Sequence, residues 1–323
     1  MINISTWNSI GHPDRMADYI CAYLVDRIIA QNPEAQCDLK VSVQKNNVFV
    51  YGKLSTFNAV DVVPWVRQAV NEIGYTEGYW HDFCGLTNKS DFTVNRDFIS
   101  LFLEDFDVSL KSFAWGMATN TPETDYLPWD FFIAKKITNL LSANRSCGID
   151  VSVNAVDSDR KSINACVTFA FGTEENEVVE YIKTIIPKGC DFTFTPRFSP
   201  FHQGVNRRCG LSGQDQQNLY GSTLPVSYNG WGKYGIDNEL LFLLIARFAA
   251  LEFIKKNPEF SEIRSYVALS DGAEEINVIL FDEKMQQISH YCKPADLPRL
   301  VSLFGLNKSH FCEMCKLGVF ASI

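Results

Sequence analysis

The residues most suited to chemistry form the segment Gly11–Arg15, which reads Gly-His-Pro-Asp-Arg and opens a long amphipathic stretch. It places an imidazole, a carboxylate and a guanidinium at the start of one predicted helix. The N–H groups of a first helical turn have no partner within the helix, and the helix dipole is positive there. Such a terminus is a natural site for phosphate. Pro13 fits this turn, because the N–H that proline lacks would be unpaired anyway.

Asp14 is suited to hold a magnesium ion that neutralises the same phosphates, because Mg²⁺ prefers carboxylate and water oxygens. The alternative is an ordinary helix that begins with proline and carries a solvated His12 and Asp14. Taken alone, the five residues favour this simpler interpretation. The choice between the two depends on the rest of the chain.

Further segments resemble signatures of the S-adenosylmethionine synthetases (methionine adenosyltransferases), in the order in which that family has them. The resemblance covers most of the chain, and the ordered set is specific although each piece is weak. The matching segments are Gly11–Asp14, Ala30–Ala35, Glu72–Tyr75, Gly116–Asn120 and Cys209–Gly213. Two further pieces fit less tightly, namely Tyr220-Gly221 and Gly232-Lys233 followed by Asp237.

Composition and charge exclude several classes of protein. The chain has 323 residues, 46% of them hydrophobic and 21% charged, which is typical of a globular protein with a large core. No apolar run approaches the roughly 20 residues that span a bilayer, and no signal peptide is evident. The net charge of −9 argues against nucleic acid or a membrane surface as partner. We expect a cytoplasmic protein.

The ten cysteines stand at irregular spacings, which favours reduced thiols. Cys312 and Cys315, with His290 and Cys292 upstream, are soft ligands of the kind that zinc binds. The alternative is four buried or free side chains, and we favour it because the first pair is separated by a single residue. Whether Cys312 and Cys315 bind zinc stays open.

The predicted elements repeat three times in the order helix, strand, strand, helix. The three units start near residues 12, 130 and 237, a spacing that indicates duplication at the scale of a domain. The expected elements are 12–31, 39–43, 48–53 and 62–73; then 131–142, 149–155, 163–171 and 175–186; then 237–256, 263–269, 276–281 and 295–303.

The expected fold class is therefore α+β, with three α-β-β-α units packed around a pseudo-threefold axis. Synthetases of the resembled family have this fold, so the repeat supports the resemblance independently of the motifs. The expected division is 1–110 and 111–200 for the first two repeats and 201–323 for a Gly-rich loop and the third repeat, interlocked as one unit.

The first hairpin predicts an interface. Val48 and Val50 alternate with Phe49 and Tyr51, so both faces are apolar and both are expected to be buried. Helices can cover one face. The other is expected to pack on a second subunit, since the resembled family forms dimers through flat sheet faces.

The resemblance implies a reaction in which the methionine sulfur attacks C5′ of the ribose of ATP. The triphosphate leaves and is hydrolysed to pyrophosphate and phosphate, with two magnesium ions and a potassium ion assisting. This chemistry requires positioning and positive charge around the leaving triphosphate. The family's site lies between two subunits and takes residues from both.

Position by position, the resemblance implies that His12 contacts the triphosphate and that Asp14 binds magnesium. Arg15 stands where the family usually has lysine, which keeps a positive charge for the nucleotide. In the Gly-rich loop, Lys233 matches a phosphate lysine and Asp237 the second magnesium carboxylate. His12 and Lys233 are thus the expected catalytic residues.

Three more positions carry expectations. Trp231 is a candidate for stacking on adenine, with core packing as the alternative, because the family has an aromatic residue nearby. Lys40 aligns with the potassium-binding Glu, and its ammonium is expected to replace the potassium ion. Lys53 aligns with the Glu that contacts methionine, where a cation repels the methionine ammonium.

Other departures remove charges from the expected site. The family's Arg-Lys pair after its Cys-Gly-Leu-Thr-Gly run is Gln214-Asp215 here, and the acidic residue before that run is Arg208. The Asp and Gln of its Gly-Asp-Gln-Gly segment fall on Leu110 and Lys111. Each charge-assisted bond to phosphate is worth about 1.5–3 kcal/mol, so losing three or four removes most of the catalytic advantage.

Three interpretations follow. The first is a subunit with weak or no activity alone, which completes a composite site with a catalytic homologue or regulates it; the lost charges favour this. The second is a divergent adenosyltransferase with another small nucleophile in place of methionine, favoured by the retained His12, Asp14, Lys233 and Asp237. The third is a nucleotide-binding relic. We lean to the first, with ATP and magnesium bound in a homodimer or a hetero-oligomer.

Overall fold

The computed structural model describes residues 3–33, 35, 37–45, 47–54, 61–75, 93–101, 112–143, 150–157, 162–169, 179–180, 182–186, 191–198, 204–206, 208–214, 217–218, 225–226, 230–231, 238–270 and 272–318. The helices are α1 (Pro13–Gln31), α2 (Val63–Ile73), α3 (Trp129–Ala143), α4 (Asn238–Lys256), α5 (Leu297–Leu303) and α6 (Phe311–Leu317). The strands are β1 (Asn3–Asn8), β2 (Cys37–Gln44), β3 (Asn47–Leu54), β4 (Thr93–Leu101), β5 (Ser112–Thr119), β6 (Ser152–Asp157), β7 (Ser162–Phe169), β8 (Asp191–Phe198), β9 (Cys209–Leu211), β10 (Gln217–Asn218), β11 (Pro225–Val226), β12 (Gly230–Trp231), β13 (Glu262–Leu269), β14 (Glu275–Phe281) and β15 (Gln287–Pro294).

Three sheets share one plan, which confirms the α+β class. Each sheet is built on an antiparallel hairpin, β2–β3, β6–β7 or β13–β14. A strand from elsewhere in the chain pairs with the first strand of each hairpin: β9 and β12 with β2, β1 with β6, and β5 with β13. A further strand pairs with the second strand of each hairpin. This pairing is parallel for β4 on β3 and for β8 on β7, and antiparallel for β15 on β14. The pseudo-threefold axis stays a prediction.

The sheets exchange strands between distant parts of the chain. Asn3 of β1 is paired with Asp157 of β6, and Thr119 of β5 with Glu262 of β13. A strand that follows one hairpin thus completes the sheet of another. The division of the chain at residues 110 and 200 stays a prediction.

Helix α1 lies at the centre of the larger core and confirms the first predicted helix. Its apolar stripe of Met16, Ile20, Leu24 and Ile28 is at most 2% exposed. The helix packs against β2, β9, α2 and α6, so it is buried nearly all round. It ends just before Asn32-Pro33, because a residue that precedes proline disfavours helical geometry.

The two faces of the first hairpin differ in burial. Val48 and Val50 are fully buried, whereas Phe49 and Tyr51 are half-buried. Residues of β2 alternate in the same way, so the exposed Lys40 shares the outer face with the two aromatic rings. The expectation of two apolar faces was drawn from β3, where it holds, and β2 adds the exposed Lys40 to the outer face. The contact of this face with a second subunit stays a prediction.

Helix α4 packs closely on β5 through a glycine and a buried arginine. A Cβ on Gly116 would lie 2.3 Å from the carbonyl carbon of Ala246, so only glycine permits this approach. Arg247 is 2% exposed, and its guanidinium donates to the carbonyl oxygens of Met117 at 2.5 Å and Asp125 at 2.8 Å. Among the described residues, no helix has both the length and the apolarity required to cross a membrane.

Asp130, at the start of α3, gives the fold a pH dependence. The carboxyl is fully buried and accepts a hydrogen bond from Ser5 Oγ at 2.6 Å. Burial, with a smaller contribution from the carboxylate of Asp157, raises the pKa of Asp130 to about 6. A folded-state pKa above the unfolded value contributes stability that is complete below about pH 4 and is lost as the pH rises through 6.

Replacing Asp130→Asn should therefore stabilise the protein by about 1–3 kcal/mol at pH 7.5, because the amide has no charge to bury and can still accept from Ser5. Thermal or urea unfolding of both proteins at pH 4 and pH 7.5 measures this. The gain should shrink at pH 4. A variant that is less stable than wild type at both values would contradict the assignment.

Candidate functional site

The first turn of α1 is held by hydrogen bonds from two sides. His12 is the N-cap, and its Nδ1 accepts from the backbone N–H of Asp14 at 3.3 Å. The N–H of His12 donates to the carbonyl of Ser9 at 3.0 Å, and the hydroxyl of Tyr75 donates to the carbonyl of Gly11 at 2.7 Å. The turn is therefore fixed before any ligand binds.

Strand β9 lies directly against this turn and brings together two of the matching segments, Gly11–Asp14 and Cys209–Gly213. The N–H of Leu211 donates to Asp14 Oδ1 at 2.9 Å. A Cβ on Gly210 would lie 2.1 Å from the carbonyl carbon and oxygen of Pro13. Glycine at this position is thus required for the contact. Asp14 Oδ2 lies 3.9 Å from His12 Nδ1, and the Asp14 side chain is 26% exposed.

The loop after β9 is anchored to the first sheet as well as to α1. The backbone N–H of Val41 donates to Ser212 Oγ at 2.9 Å, and the N–H of Ser212 donates to the carbonyl of Val41 at 2.8 Å. The N–H of Gly213 donates to Asp18 Oδ1 at 2.7 Å. The segment Cys209–Gly213 is therefore a rigid wall beside the helix start.

Arg15 points away from the outer surface of this turn. It is 4% exposed, its guanidinium donates to the carbonyl of Cys315, and it lies 3.6 Å from Asp18 Oδ2 and 5.5 Å from the ring centre of Trp7. His12 is 8% exposed on the same turn. The structure thus brings His12 and Asp14 together beside β9, while the charge of Arg15 is paired inside the protein.

Arg208 is also paired with a carboxylate. Its guanidinium donates to Oδ2 of the fully buried Asp150 at 2.9 Å, and the same oxygen accepts from the N–H of Gly204 at 3.0 Å. Gly204 packs against the hydroxyl of Tyr75, which a Cβ there would approach to 1.7 Å. Asp150 and Arg208 together hold the segment that leads into β9.

Lys40 lies on a different face from His12. The residues of β2 that face α1 are buried, and alternation places Asp38 and Lys40 on the opposite face of the sheet, with Lys53 next to Asp38 across the hairpin. Burial raises the pKa of Asp38, and the two lysines partly offset this shift. The backbone of Trp231 pairs with Asp38, so Trp231 belongs to the same sheet.

Comparison with known proteins finds similarity to one family over part of the chain. Residues 2–91 match the family described as the N-terminal domain of S-adenosylmethionine synthetase. Over this N-terminal part, the chain is similar to the S-adenosylmethionine synthetases. An S-adenosylmethionine synthase of Aquifex aeolicus is 31% identical over 153 residues, which cover 46% of this chain and 40% of the relative. One of Thermus thermophilus is 28% identical over 193 residues, which cover 54% of this chain and 46% of the relative. The chain thus spans about half the length of the curated relatives it matches.

A solved structure shares the fold over nearly the whole chain. It is described as an unusual S-adenosylmethionine synthetase from Campylobacter jejuni, and it superposes with a TM-score of 0.76 over 97% of this chain and 88% of that one. The sequence identity is 15%, so this likeness concerns the fold alone. It confirms the expected S-adenosylmethionine synthetase-like architecture.

Part of the expected synthetase site lies outside the described residues. This applies to Lys233 and Asp237 of the Gly-rich loop and to the departures at Asp215, Leu110 and Lys111. Of the expected site residues, His12, Asp14, Arg15, Lys40 and the backbone of Trp231 are described. The structure therefore shows the contacts of only part of the expected site.

The candidate zinc ligands are dispersed. Within the described ranges, no group of three or more His, Cys, Asp or Glu side chains is close enough to hold a metal ion. Cys292 is on β15, whereas Cys312 and Cys315 are in α6. Burial, followed by the carboxylate of Asp26, raises the pKa of the Cys312 thiol well above its usual range, which opposes the thiolate that zinc binds.

Sequence reasoning missed Asp18 and Asp150. Asp18 lies one turn after Asp14, and the buried positions of α1 are mostly apolar, so a second carboxylate at this spacing could have been noticed. Asp150 gave no such signal, because its partner Arg208 is 58 residues away. Both are buried carboxylates that hold the backbone around β9.

Proposed function

We propose that this chain is an S-adenosylmethionine synthetase-like subunit that binds the triphosphate of magnesium ATP at the start of α1. It completes a composite site with a catalytic homologue, or regulates that homologue as a non-catalytic subunit. The contact of Gly210 and Leu211 with Pro13 and Asp14 is the observation that carries the proposal, because it joins two family motifs 195 residues or more apart at one helix terminus.

The donor set of this terminus fits the expected ligands. Mg²⁺ is bound in proteins by one or two carboxylates together with substrate phosphates and water. Asp14 suits this role, because one oxygen is fixed by Leu211 and the carboxylate is partly exposed. His12, at the N-cap, would donate to a phosphate oxygen, and the dipole of the 19-residue α1 favours the anion.

The charges of the site support a subunit that is incomplete by itself. Arg15 pairs with Asp18 and Arg208 pairs with Asp150, so neither described arginine near β9 offers its full charge to a triphosphate. Gln214 stands where the family has arginine. The missing cations would have to come from Lys233 or from a second subunit.

A dimer would place a second set of residues at the site. Lys40, with Phe49 and Tyr51, lies on the outer face of the first sheet, away from α1. In a dimer joined through sheet faces, Lys40 would reach the site of the partner and supply the charge of the potassium ion there. Trp231 would stack on adenine from the same sheet.

The second candidate is a divergent adenosyltransferase. Lys53 is exposed beside Asp38 on the outer face, where a cation disfavours the ammonium of methionine. A nucleophile without that ammonium would suit this pair better. This candidate needs no catalytic homologue, which distinguishes it from the first.

Mixing the chain with a catalytic S-adenosylmethionine synthetase that has all family motifs tests the proposal. We expect the two to form a hetero-oligomer, and the rate of S-adenosylmethionine formation to differ from that of the catalytic protein alone. Sedimentation at micromolar concentration and product formation measure both. Two proteins that sediment separately, with an unchanged rate, would contradict the composite site.

A further inference from the structure

We propose that Arg15 is a positioning residue, which ties the C-terminal helix α6 to the loop after β9 and thereby holds the candidate site in shape. The resemblance gave Arg15 a contact with the nucleotide. Its observed contacts lead instead to the opposite end of the chain. The expected effect of Arg15 on ATP binding rests on the proposed function, whereas its effect on the loop after β9 does not.

Among the described residues, the guanidinium of Arg15 contacts a carbonyl, a carboxylate and an aromatic ring. It donates to the carbonyl of Cys315 in the last turn of α6, it lies 3.6 Å from Asp18 Oδ2, and it lies 5.5 Å from the ring centre of Trp7. All of this occurs in a buried setting, since Arg15, Asp18 and Trp7 are 4%, 1% and 1% exposed. Carbonyl, carboxylate and aromatic ring are the partners that a planar guanidinium engages at once.

Asp18 connects Arg15 to the loop after β9 at the candidate site. One carboxylate oxygen faces Arg15, and the other accepts from the N–H of Gly213 at 2.7 Å. Removing the guanidinium would leave a buried carboxylate without its counter-charge, which favours rearrangement or protonation. The Gly213 N–H would then lose a charged acceptor, and the wall beside His12 would loosen.

Helix α6 has a second anchor that does not touch the site. Both carboxylate oxygens of Asp26 accept from its first turn, from the N–H groups of Phe311 and Cys312 at 2.9 Å each. Ser309 Oγ donates to the carbonyl of Asp26 at 3.0 Å. Asp26 lies three turns beyond Arg15 on α1, about 16 Å along the axis. It is therefore a matched control, because it holds the same helix without contacting Gly213.

An arginine is required for this arrangement rather than a positive charge alone. Lysine carries one compact ammonium, which cannot donate to Cys315, pair with Asp18 and stack on Trp7 in the same geometry. Arg15→Lys thus keeps the positive charge and removes the planar set of N–H donors of the guanidinium. Asp26→Asn keeps the size of the side chain and removes one of its two acceptor oxygens.

Hydrogen exchange in the full chain, without ligand, tests whether Arg15 connects α6 to the loop after β9. Arg15→Lys is expected to speed exchange of residues 209–214 by about tenfold, whereas Asp26→Asn should speed exchange of residues 309–315 and leave 209–214 at the wild-type rate. Unchanged exchange of 209–214 in Arg15→Lys, or equal acceleration there in both variants, overturns the proposal. If Arg15→Lys does not fold, Asp18→Asn removes the charge that Arg15 faces and weakens the acceptor of Gly213, and faster exchange at 209–214 is again expected.

Calorimetry with magnesium ATP separates positioning from simple stability. Arg15→Lys should weaken ATP binding about tenfold, and Asp26→Asn should lower the melting temperature with little effect on affinity. Affinities that follow the melting temperature in both variants would contradict a positioning role. If wild type binds no ATP, the proposed function fails, while the exchange rates still decide whether Arg15 holds the loop.

Discussion

Purified alone, the chain is expected to form negligible S-adenosylmethionine from ATP and methionine. Gln214 and Asp215 stand where the resembled family has an Arg-Lys pair, and a carboxylate beside the leaving triphosphate would oppose the transition state. Losing even two charge-assisted contacts of about 1.5–3 kcal/mol each lowers the rate by roughly two to four orders of magnitude. Product formation by the homo-oligomer, beside a motif-complete synthetase under the same conditions, measures this.

Restoring the two cations should reverse part of the loss. Gln214 is exposed, so the double change Gln214→Arg and Asp215→Lys restores both charges, and the Gln214 position can accept the larger side chain. We expect the double variant to bind ATP more tightly than wild type. Robust turnover by the unmodified homo-oligomer would contradict the account and would assign the triphosphate contacts to Arg207, Arg208 or Lys111.

Replacing Gly210→Ala should damage stability and ATP binding together. The new Cβ would lie 2.1 Å from the backbone of Pro13, so β9 must move away from α1 and the bond from Leu211 to Asp14 must break. Such overpacking with a lost hydrogen bond costs about 2–4 kcal/mol. Thermal unfolding and calorimetry with magnesium ATP measure the two effects.

Gly272→Ala is the matched control for this change. A Cβ there would meet nothing within 4 Å, and only the positive φ of 74° opposes it, at a cost of about 1–2 kcal/mol. It should leave ATP affinity unchanged. Equal losses of stability and affinity in the two variants would mean that the contact between β9 and α1 does not shape the site.

The regular elements could be predicted because their signals are local. Apolar periodicity gave α1, α2, α3 and α4 within about two residues at most ends, and turn residues gave the three hairpins. The strand expected over 149–155 begins later, at Ser152. Of the helix expected over 175–186, the structure describes 179–180 and 182–186, with helix at 179–180 and 182–183.

The sheet partners could not be predicted, because they depend on contacts between distant segments. Strand β1 was not expected at all, and its register places Asn8 opposite Ser152. Strand β9 has three residues and no periodicity of its own. Its position against α1 depends on Gly210, because a side chain there would collide with Pro13. The motif contains this glycine, but no local pattern indicates that Pro13 is its neighbour.

The site shows the same limit at single residues. His12 and Asp14 could be placed from the Pro-started helix, since N-cap chemistry is local. The contact of Arg15 with Cys315 joins residues 300 positions apart, so sequence spacing gave no hint that the guanidinium would be buried. Likewise, Arg208 departs from the family's acidic residue, and only the fold supplies Asp150 as its counter-charge.

Calorimetric titration of the full chain with ATP and magnesium tests the central claim most directly, namely that the start of α1 and β9 form a phosphate site. The account predicts weak, magnesium-dependent binding that is further weakened in His12→Ala and in Asp14→Ala. Each variant should stay folded, as circular dichroism would verify. No binding up to millimolar ATP, with a catalytic homologue present as well as absent, would contradict the claim.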